Sequence, residues 1–494
     1  MIQKIKHFKF TLLAICLLGC TGDFEEVNNN PNSPLSTTPN LLLTGVERDM
    51  MNTLLNDTWG IGNIVIQHTA KNQFVNEDRY LWNELNGIWN AVYDNMRDVN
   101  NIIIQAEETN QPNYRGVALV LKSWMFSLAT DCYGDVPYSQ ATQGKEGVLF
   151  PEYDTQESIY NGILNDLAEA NTVLNGATNV SGDLIYNGDV KKWRKLANSL
   201  RLRYLMRISD RKDVSSEMKA ILSDPTANPI FESNTDHAVY TYLANSPNQF
   251  PLFSTRIGSF NEFRTSKTFG DYLTNLDDPR LFIFFRPTPE TEVTSSTADD
   301  MYDGIPNGLD DVTAQTYNGG QQFQGRIGPL FYEQANSAKG IQVAKGVIMT
   351  FAELQFILAE AREKGLIDMG LAETYYMNGI AASFTYYGVT PGATYYTQDE
   401  VAYAGSTEEK LEKIGTQKWA ASYFQGFEAW FNWRRTGYPV LEPSVDNQND
   451  DRIPVRFIFP RIEQSLNSTN RSTAIARQGA DDINTRVWWD VNPN

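Results

Sequence analysis

The chain predicts a mainly α fold: a helical-repeat scaffold carrying a loop-rich lobe. Three observations lead there. Apolar residues recur at helical spacing in six separate stretches. Several of those stretches come in pairs divided by turn signals, as stacked helix pairs require. Between about residues 225 and 345 the helical period fades, while Pro, Gly, Asn, Thr and aromatic residues become frequent. The chain has 494 residues, 41% of them hydrophobic and 20% charged, which is globular rather than disordered. Residues 41–494 are expected to form a single domain, with 225–345 as its insert.

The first element is not part of that domain. Lys4, Lys6 and Lys9 precede an apolar run from Phe10 to Leu18, which ends in Leu17-Leu18-Gly19-Cys20. The run is too short to span a bilayer, which takes about 20 residues. It fits a secretory signal over 1–19, cleaved before a cysteine that can be lipidated. Cleavage with no lipid is the alternative. Residues 20–40 are acidic and then rich in Asn, Pro and Ser, so they read as a tether. Of the remaining cysteines, Cys16 leaves with the signal. Cys132 has no intramolecular partner and reads as a buried small hydrophobe.

The helical stripes follow in order. Leu85, Ile88, Trp89, Val92, Tyr93 and Met96 share one face. Val117, Leu121, Trp124, Met125 and Leu128 share the next. Ile159, Ile163, Leu167, Ala170 and Leu174 form a third, with Asp154 or Thr155 as N-cap. Trp193, Leu196, Ala197, Leu200, Tyr204, Leu205 and Ile208 form a fourth. Phe351, Leu354, Ile357, Leu358 and Ala361 precede a last stripe of Trp419, Tyr423, Phe427, Trp430 and Phe431. Each reads as core. Asp446–Asp451 is a polar loop, and Trp488-Trp489 returns two large aromatics near the end.

The formal charge of −19 makes nucleic acid a poor partner, because phosphates need Lys and Arg. Beyond the signal the only histidines are His68 and His237, with no second ligand at zinc-binding spacing. Neither a Gly-x-Ser-x-Gly elbow nor a phosphate-binding Gly-Lys-Ser/Thr loop is present. Asp277 and Asp278 adjoin each other and read as a turn. Glu353 and Glu360 read as a solvated or Arg-paired face. Asp303, Asn307, Asp310 and Asp311 could hold calcium, but lack the EF-hand order and read as a turn. No enzyme, cofactor or metal is expected.

What remains is aromatic and amide chemistry. Sugar rings stack their C–H faces on flat aromatics, and their hydroxyls need amide, carboxylate or guanidinium partners. One stretch with both runs from Gln67 to Trp82 and offers Gln73, Phe74, Tyr80 and Trp82. The other runs from Tyr302 to Tyr332 and offers Tyr302, Tyr317, Asn318, Gln322 and Phe323. Singly, each aromatic is more often core than contact. Together, beside amides in poorly periodic segments, they are the candidate ligand residues.

Several stretches carry a resemblance. Asp131-Cys132-Tyr133-Gly134-Asp135-Val136-Pro137-Tyr138, Phe351 to Ala361, and Glu428-Ala429-Trp430 with Trp433-Arg434-Arg435-Thr436-Gly437 are similar to the SusD/RagB family of outer-membrane lipoproteins. Ile453-Pro454-Val455-Arg456, Trp488-Trp489-Asp490 and the start at Asp23-Phe24-Glu25-Glu26 continue it. The branch resembled is the SusD-like, starch-binding-associated one. The resemblance implies tetratricopeptide-like helix pairs and a ligand-binding lobe. It implies a cell-surface lipoprotein, anchored in the outer membrane through acyl chains on Cys20. Asp23, Glu25 and Glu26 resemble the export signal of such proteins. It also implies a TonB-dependent SusC-like transporter as partner, to which oligosaccharides, or in some members peptides, are delivered. Trp430, Trp433, Arg434 and Arg435 are implied to hold helices together. No ligand-site motif of the family transfers here residue by residue.

Overall fold

Helix pairs build most of the molecule. The computed structural model describes residues 37–492 except 175–177, 244–247, 253–258, 293–299 and 329–344. The signal sequence, Cys20, the tether up to residue 36 and Tyr332 lie outside the described residues. The main helices are α1 (Pro39–Asp57), α2 (Gly87–Glu108), α3 (Pro112–Tyr133), α4 (Gln156–Val173) and α5 (Val190–Ile208). Each packs on the next in sequence, and α5 then packs on α8 (Phe351–Glu363), the start of a second group. In that group α8 lies against α9 (Ala372–Tyr387) and α10 (Thr407–Ala421), and α10 against α11 (Glu428–Thr436). Among the described residues no helix is long and apolar enough to cross a membrane.

Local chemistry starts these helices. The Thr155 hydroxyl accepts from Ser158 N at 3.2 Å and caps α4, as the sequence allows. Ser406 and Glu409 form a reciprocal capping box on α10. The last sequence stripe is not one helix. α10 stops at Ala421 and α11 starts at Glu428. Between them Phe424 has φ 58° and Gly426 φ 71°, a turn hidden inside an unbroken run of apolar residues.

The stripes form one core, and buried ion pairs bind it. Arg203 grips Glu353 with two bonds, of 2.8 and 2.5 Å. Arg435 grips Glu360 with bonds of 2.5 and 2.6 Å. Burial opposes the charge on Glu360, but Arg435 outweighs it and holds the carboxyl at about 2. Arg434 is fully buried among Trp430, Phe431 and Trp489, with its guanidinium 4.1, 4.9 and 4.6 Å from the ring centres. It donates to the carbonyls of Val455 at 2.5 Å and Asp131 at 2.7 Å, joining α11, the C-terminal segment and the end of α3. Trp433 is also buried, so the implied structural role of this motif holds. Cys132 is buried and free. Asp277 lies in a turn, as read, and Asp278 beside it is buried, accepting from Arg280 N at 2.9 Å and pairing with its guanidinium.

The insert is less irregular than its sequence suggests. Strands β2 (Ala238–Thr241) and β6 (Lys345–Met349) pair antiparallel and lean on α1. Strands β1 (Thr69–Lys71), β3 (Phe263–Thr265), β4 (Phe285–Arg286) and β5 (Arg326–Ile327) form a second antiparallel sheet in the order β1-β3-β5-β4. Ala70 sits opposite Arg264, and Arg264 opposite Arg326. Both candidate stretches thus feed one sheet.

Candidate functional site

β1 opens the Gln67–Trp82 stretch, and β5 closes the part of the second stretch that starts at Tyr302. The sheet alone would bring them near each other. Four side chains then fasten them. Asn307 Nδ2 donates to Asp78 Oδ1 at 2.6 Å and to the Thr69 carbonyl at 2.8 Å. Asn72 Nδ2 donates to Gln324 Oε1 at 3.2 Å. Asp78 Oδ2 accepts from Lys71 N at 3.0 Å. All of these side chains are buried. Burial pushes the Asp78 carboxyl up to about 6, against the pull of those hydrogen bonds and of Lys71.

Above this seam lies a small apolar cluster of Val75, Leu309 and Ala314, with half-buried Tyr317 packed on it. Val75 follows Phe74 in sequence, so Phe74 and Tyr317 flank the same cluster. Phe74 is 67% exposed and has φ 52°, a left-handed backbone that a bulky residue seldom adopts. Helix α7 (Asp311–Thr316) is capped by Asp310, whose carboxylate accepts from Val312 N and Thr313 N. After it, Asn318 at φ 58° turns the chain. Its Nδ2 donates to Asp303 Oδ2 at 3.2 Å and to the Phe323 carbonyl at 3.3 Å. Gly325 N donates to the Asp303 carbonyl at 2.7 Å, which ties the tip back to Tyr302. Tyr302 is half-buried and meets Phe282 edge to face at 5.5 Å. Phe282 is 54% exposed.

Seven of the nine ligand candidates therefore lie on this ridge: Gln73, Phe74, Tyr302, Tyr317, Asn318, Gln322 and Phe323. None of these seven is buried. Two are corrected. Tyr80 is 2% exposed, and its hydroxyl accepts from Ser444 N at 3.2 Å. Trp82 is half-buried, edge-on to Phe457 at 5.7 Å and to Trp430 at 6.2 Å, with its indole N–H donated to the Glu77 carbonyl. Tyr80 wedges the ridge onto the core as its support, and Trp82 packs one edge on the core while keeping part of its surface exposed. Phe282 is the residue missed, since it sits in the apolar run Leu281–Phe285 and reads as core.

The oxygen-rich group Asp303, Asn307, Asp310 and Asp311 is taken up in this scaffolding. Asn307 bridges the two stretches, and Asp310 caps α7. Among the described residues no three His, Cys, Asp or Glu side chains converge as metal ligands. His68 is buried, and burial drives its imidazole down to about 3, so it is neutral. Larger hollows lie on the scaffold. One of about 890 Å³ is lined by Asn100, Ile104 and Gln143–Glu146, with no aromatic ring. Another of about 670 Å³ has Tyr272 as its only ring. A third, of about 630 Å³, is lined by Trp433 and Tyr438. The ridge combines several rings with amides, an arrangement suited to a sugar chain.

A family model described as starch-binding, associating with the outer membrane, matches residues 31–460. Among solved structures, a SusD homologue from Bacteroides fragilis is 32% identical, with a TM-score of 0.78 over 92% of this chain and 99% of its own. A chitin-binding protein is 30% identical, with a TM-score of 0.78 over 92% and 100% of the two chains. A chitin-binding SusD homologue from Flavobacterium johnsoniae is 26% identical, with a TM-score of 0.76 over 91% and 99%. Among curated protein sequences none matches.

Proposed function

Since the chain belongs to the SusD-like family of starch-binding proteins associating with the outer membrane, we propose that it captures oligosaccharides at the cell surface and passes them to a TonB-dependent SusC-like transporter. The observation that carries the glycan reading is the ridge. Phe74, Tyr302, Tyr317 and Phe323 offer ring faces or edges, and Gln73, Asn318 and Gln322 stand among them. Stacking removes apolar sugar C–H surface from water, while the amides bond hydroxyls on both sides of each ring. Two of the similar structures are of chitin-binding proteins, so chito-oligosaccharides head the list of ligands to try.

No chemistry is assigned to the site. Asp303 and Asp310 are fixed in backbone-organising bonds rather than facing each other as an acid and base. Lipidation at Cys20 holds the protein beside its partner, a reading supported by the basic, apolar and Gly19-Cys20 order of the leader. The lipid supplies proximity and leaves recognition to the lobe.

Calorimetry of the soluble chain from residue 21 against a panel of oligosaccharides and oligopeptides tests this. Binding of at least one glycan series, with affinity rising with chain length, is the expected result. Retention of oligopeptides with no glycan bound would sink the sugar reading and leave a peptide binder. Recovery of a TonB-dependent barrel with the full-length protein from detergent-solubilised outer membranes checks the partner.

A further inference from the structure

The charges around the ridge narrow its cargo. Six described cations stand near it: four face a carboxylate, while Arg79 and the buried Arg264 donate to backbone carbonyls. Lys71 is buried against Glu77 at 2.9 Å and Glu262 at 4.0 Å. Lys267 bonds Asp271 at 2.5 Å and also feels Asp303. Arg286 and Arg326 both close on Glu292. Arg79 donates to the Asp446 carbonyl and lies within electrostatic reach of Asp310.

Among the described residues, other carboxylates close no ion pair, although Asp303 feels Lys267 from a distance. Asp311 is exposed at the start of α7, and Glu290 is exposed beside the Gln321–Phe323 turn. Asp300 adjoins Tyr302, whose phenol is pushed up to about 12 by burial and then by Asp300 and Glu292. Asp303 bonds only an amide with its side chain. A ligand that stacks on Tyr302, Tyr317 and Phe323 therefore meets a negative field. The acidic chain as a whole, at −19, does nothing to relieve it.

We infer that the ridge takes an uncharged oligosaccharide and rejects uronate-bearing and sulfated glycans, a selection that rests on the glycan reading above. The rejection is built from repulsion, in that the described cations near the ridge are already bonded, to carboxylates or to backbone carbonyls, while Asp300, Asp303, Asp311 and Glu290 stay outside any described ion pair. An acidic sugar would have to compete with Asp271, Glu292 or Glu77 for a cation already held. Neutral and N-acetylated sugars need only ring faces and amides, which the ridge supplies.

The test compares chito-oligosaccharides, gluco-, xylo- and manno-oligosaccharides with hyaluronan and oligogalacturonate fragments of matched length. Hyaluronan is informative because it alternates an N-acetylated sugar with a uronate. At low salt, the acidic series should bind more than tenfold more weakly than the best neutral series. That gap should shrink as salt screens the carboxylates. The double variant Asp300→Lys/Asp311→Lys should close most of the gap, leaving neutral affinity within about twofold. Equal or tighter binding of an acidic series by the wild type would overturn this inference and leave the glycan reading standing. A failure to bind any glycan, neutral or acidic, would instead bring down the glycan reading and this selection with it.

Discussion

Trp430 and Phe74 are both large aromatic residues, and the molecule uses them in opposite ways. Trp430 is fully buried, its indole N–H donated to the Pro454 carbonyl and its ring under the guanidinium of Arg434. Phe74 is largely exposed on a left-handed backbone. The scaffold around Trp430 turns its large side chains inward, where guanidinium groups and backbone carbonyls meet them. The lobe around Phe74 leaves ring surface in water, held there by a seam of buried amides. The difference teaches that rigidity here comes from beneath: Asn72, Asp78, Asn307 and Gln324 fix the two stretches so that their rings can stay exposed.

The sharpest way to break the scaffold side is Arg434→Met. It keeps much of the volume and removes the donors to the Val455 and Asp131 carbonyls. Loss of about 3–5 kcal/mol is expected, the range for removing one member of a buried polar network. Urea unfolding checks it, and a change under 1 kcal/mol would mean that the stacked guanidinium contributes little. Trp82→Ala is next, at about 2 kcal/mol, because the ring is only half-buried. Its melting temperature should fall. A fall in glycan affinity with no thermal effect would return Trp82 to the binding surface.

Phe74→Ala probes the other region. The melting temperature should hardly move, because the side chain buries little, while glycan affinity should drop about tenfold, or 1.4 kcal/mol. Calorimetry at one temperature resolves that. Unchanged affinity would take Phe74 off the ridge surface and leave its unusual backbone without a functional reason.

These substitutions also mark what a sequence can reveal. The stripes of α2 to α5 and α8 are long enough for their period to stand out, so the scaffold and the Thr155 cap were legible. The break between α10 and α11 was not, because Tyr423, Phe424 and Phe427 continue the apolar spacing through a turn. Strands of two to five residues are too short to display alternation, which hid the four-stranded sheet. Aromatic and amide density located the ridge but could not tell inward from outward. Tyr80 and Trp82 therefore read like Phe74, and Phe282 read like the core. The spacing of Glu353 and Glu360 left a solvated or Arg-paired face open, and the structure shows the buried, Arg-paired one, whereas the joining of Asn307 to Asp78 links residues 229 positions apart.

Two buried carboxylates carry the comparison into pH. Glu360 in the scaffold is held at about 2 by Arg435, so its contribution is present above pH 4.5 and is lost as pH falls toward 2. Asp78 in the lobe has the reverse sign. Its carboxyl is raised from 3.8 to about 6, chiefly by burial. Folding therefore favours its protonated form. That stability is fully present below pH 3.8 and is lost as pH rises through 6. Between pH 7 and pH 5 the wild type should gain about 1 kcal/mol from this group. Asp57, also raised to about 6, adds a gain of the same sign from the scaffold, so the wild-type curve alone does not isolate the lobe. The difference between wild type and Asp78→Asn does. Melting temperatures measured from pH 5 to 7 should lie furthest apart at pH 7, where only the wild type bears the cost of a buried charge, and approach each other toward pH 5, where Asp78 becomes neutral like the amide. Parallel curves would mean that Asp78 titrates near its ordinary value and that water reaches the seam beneath the ridge.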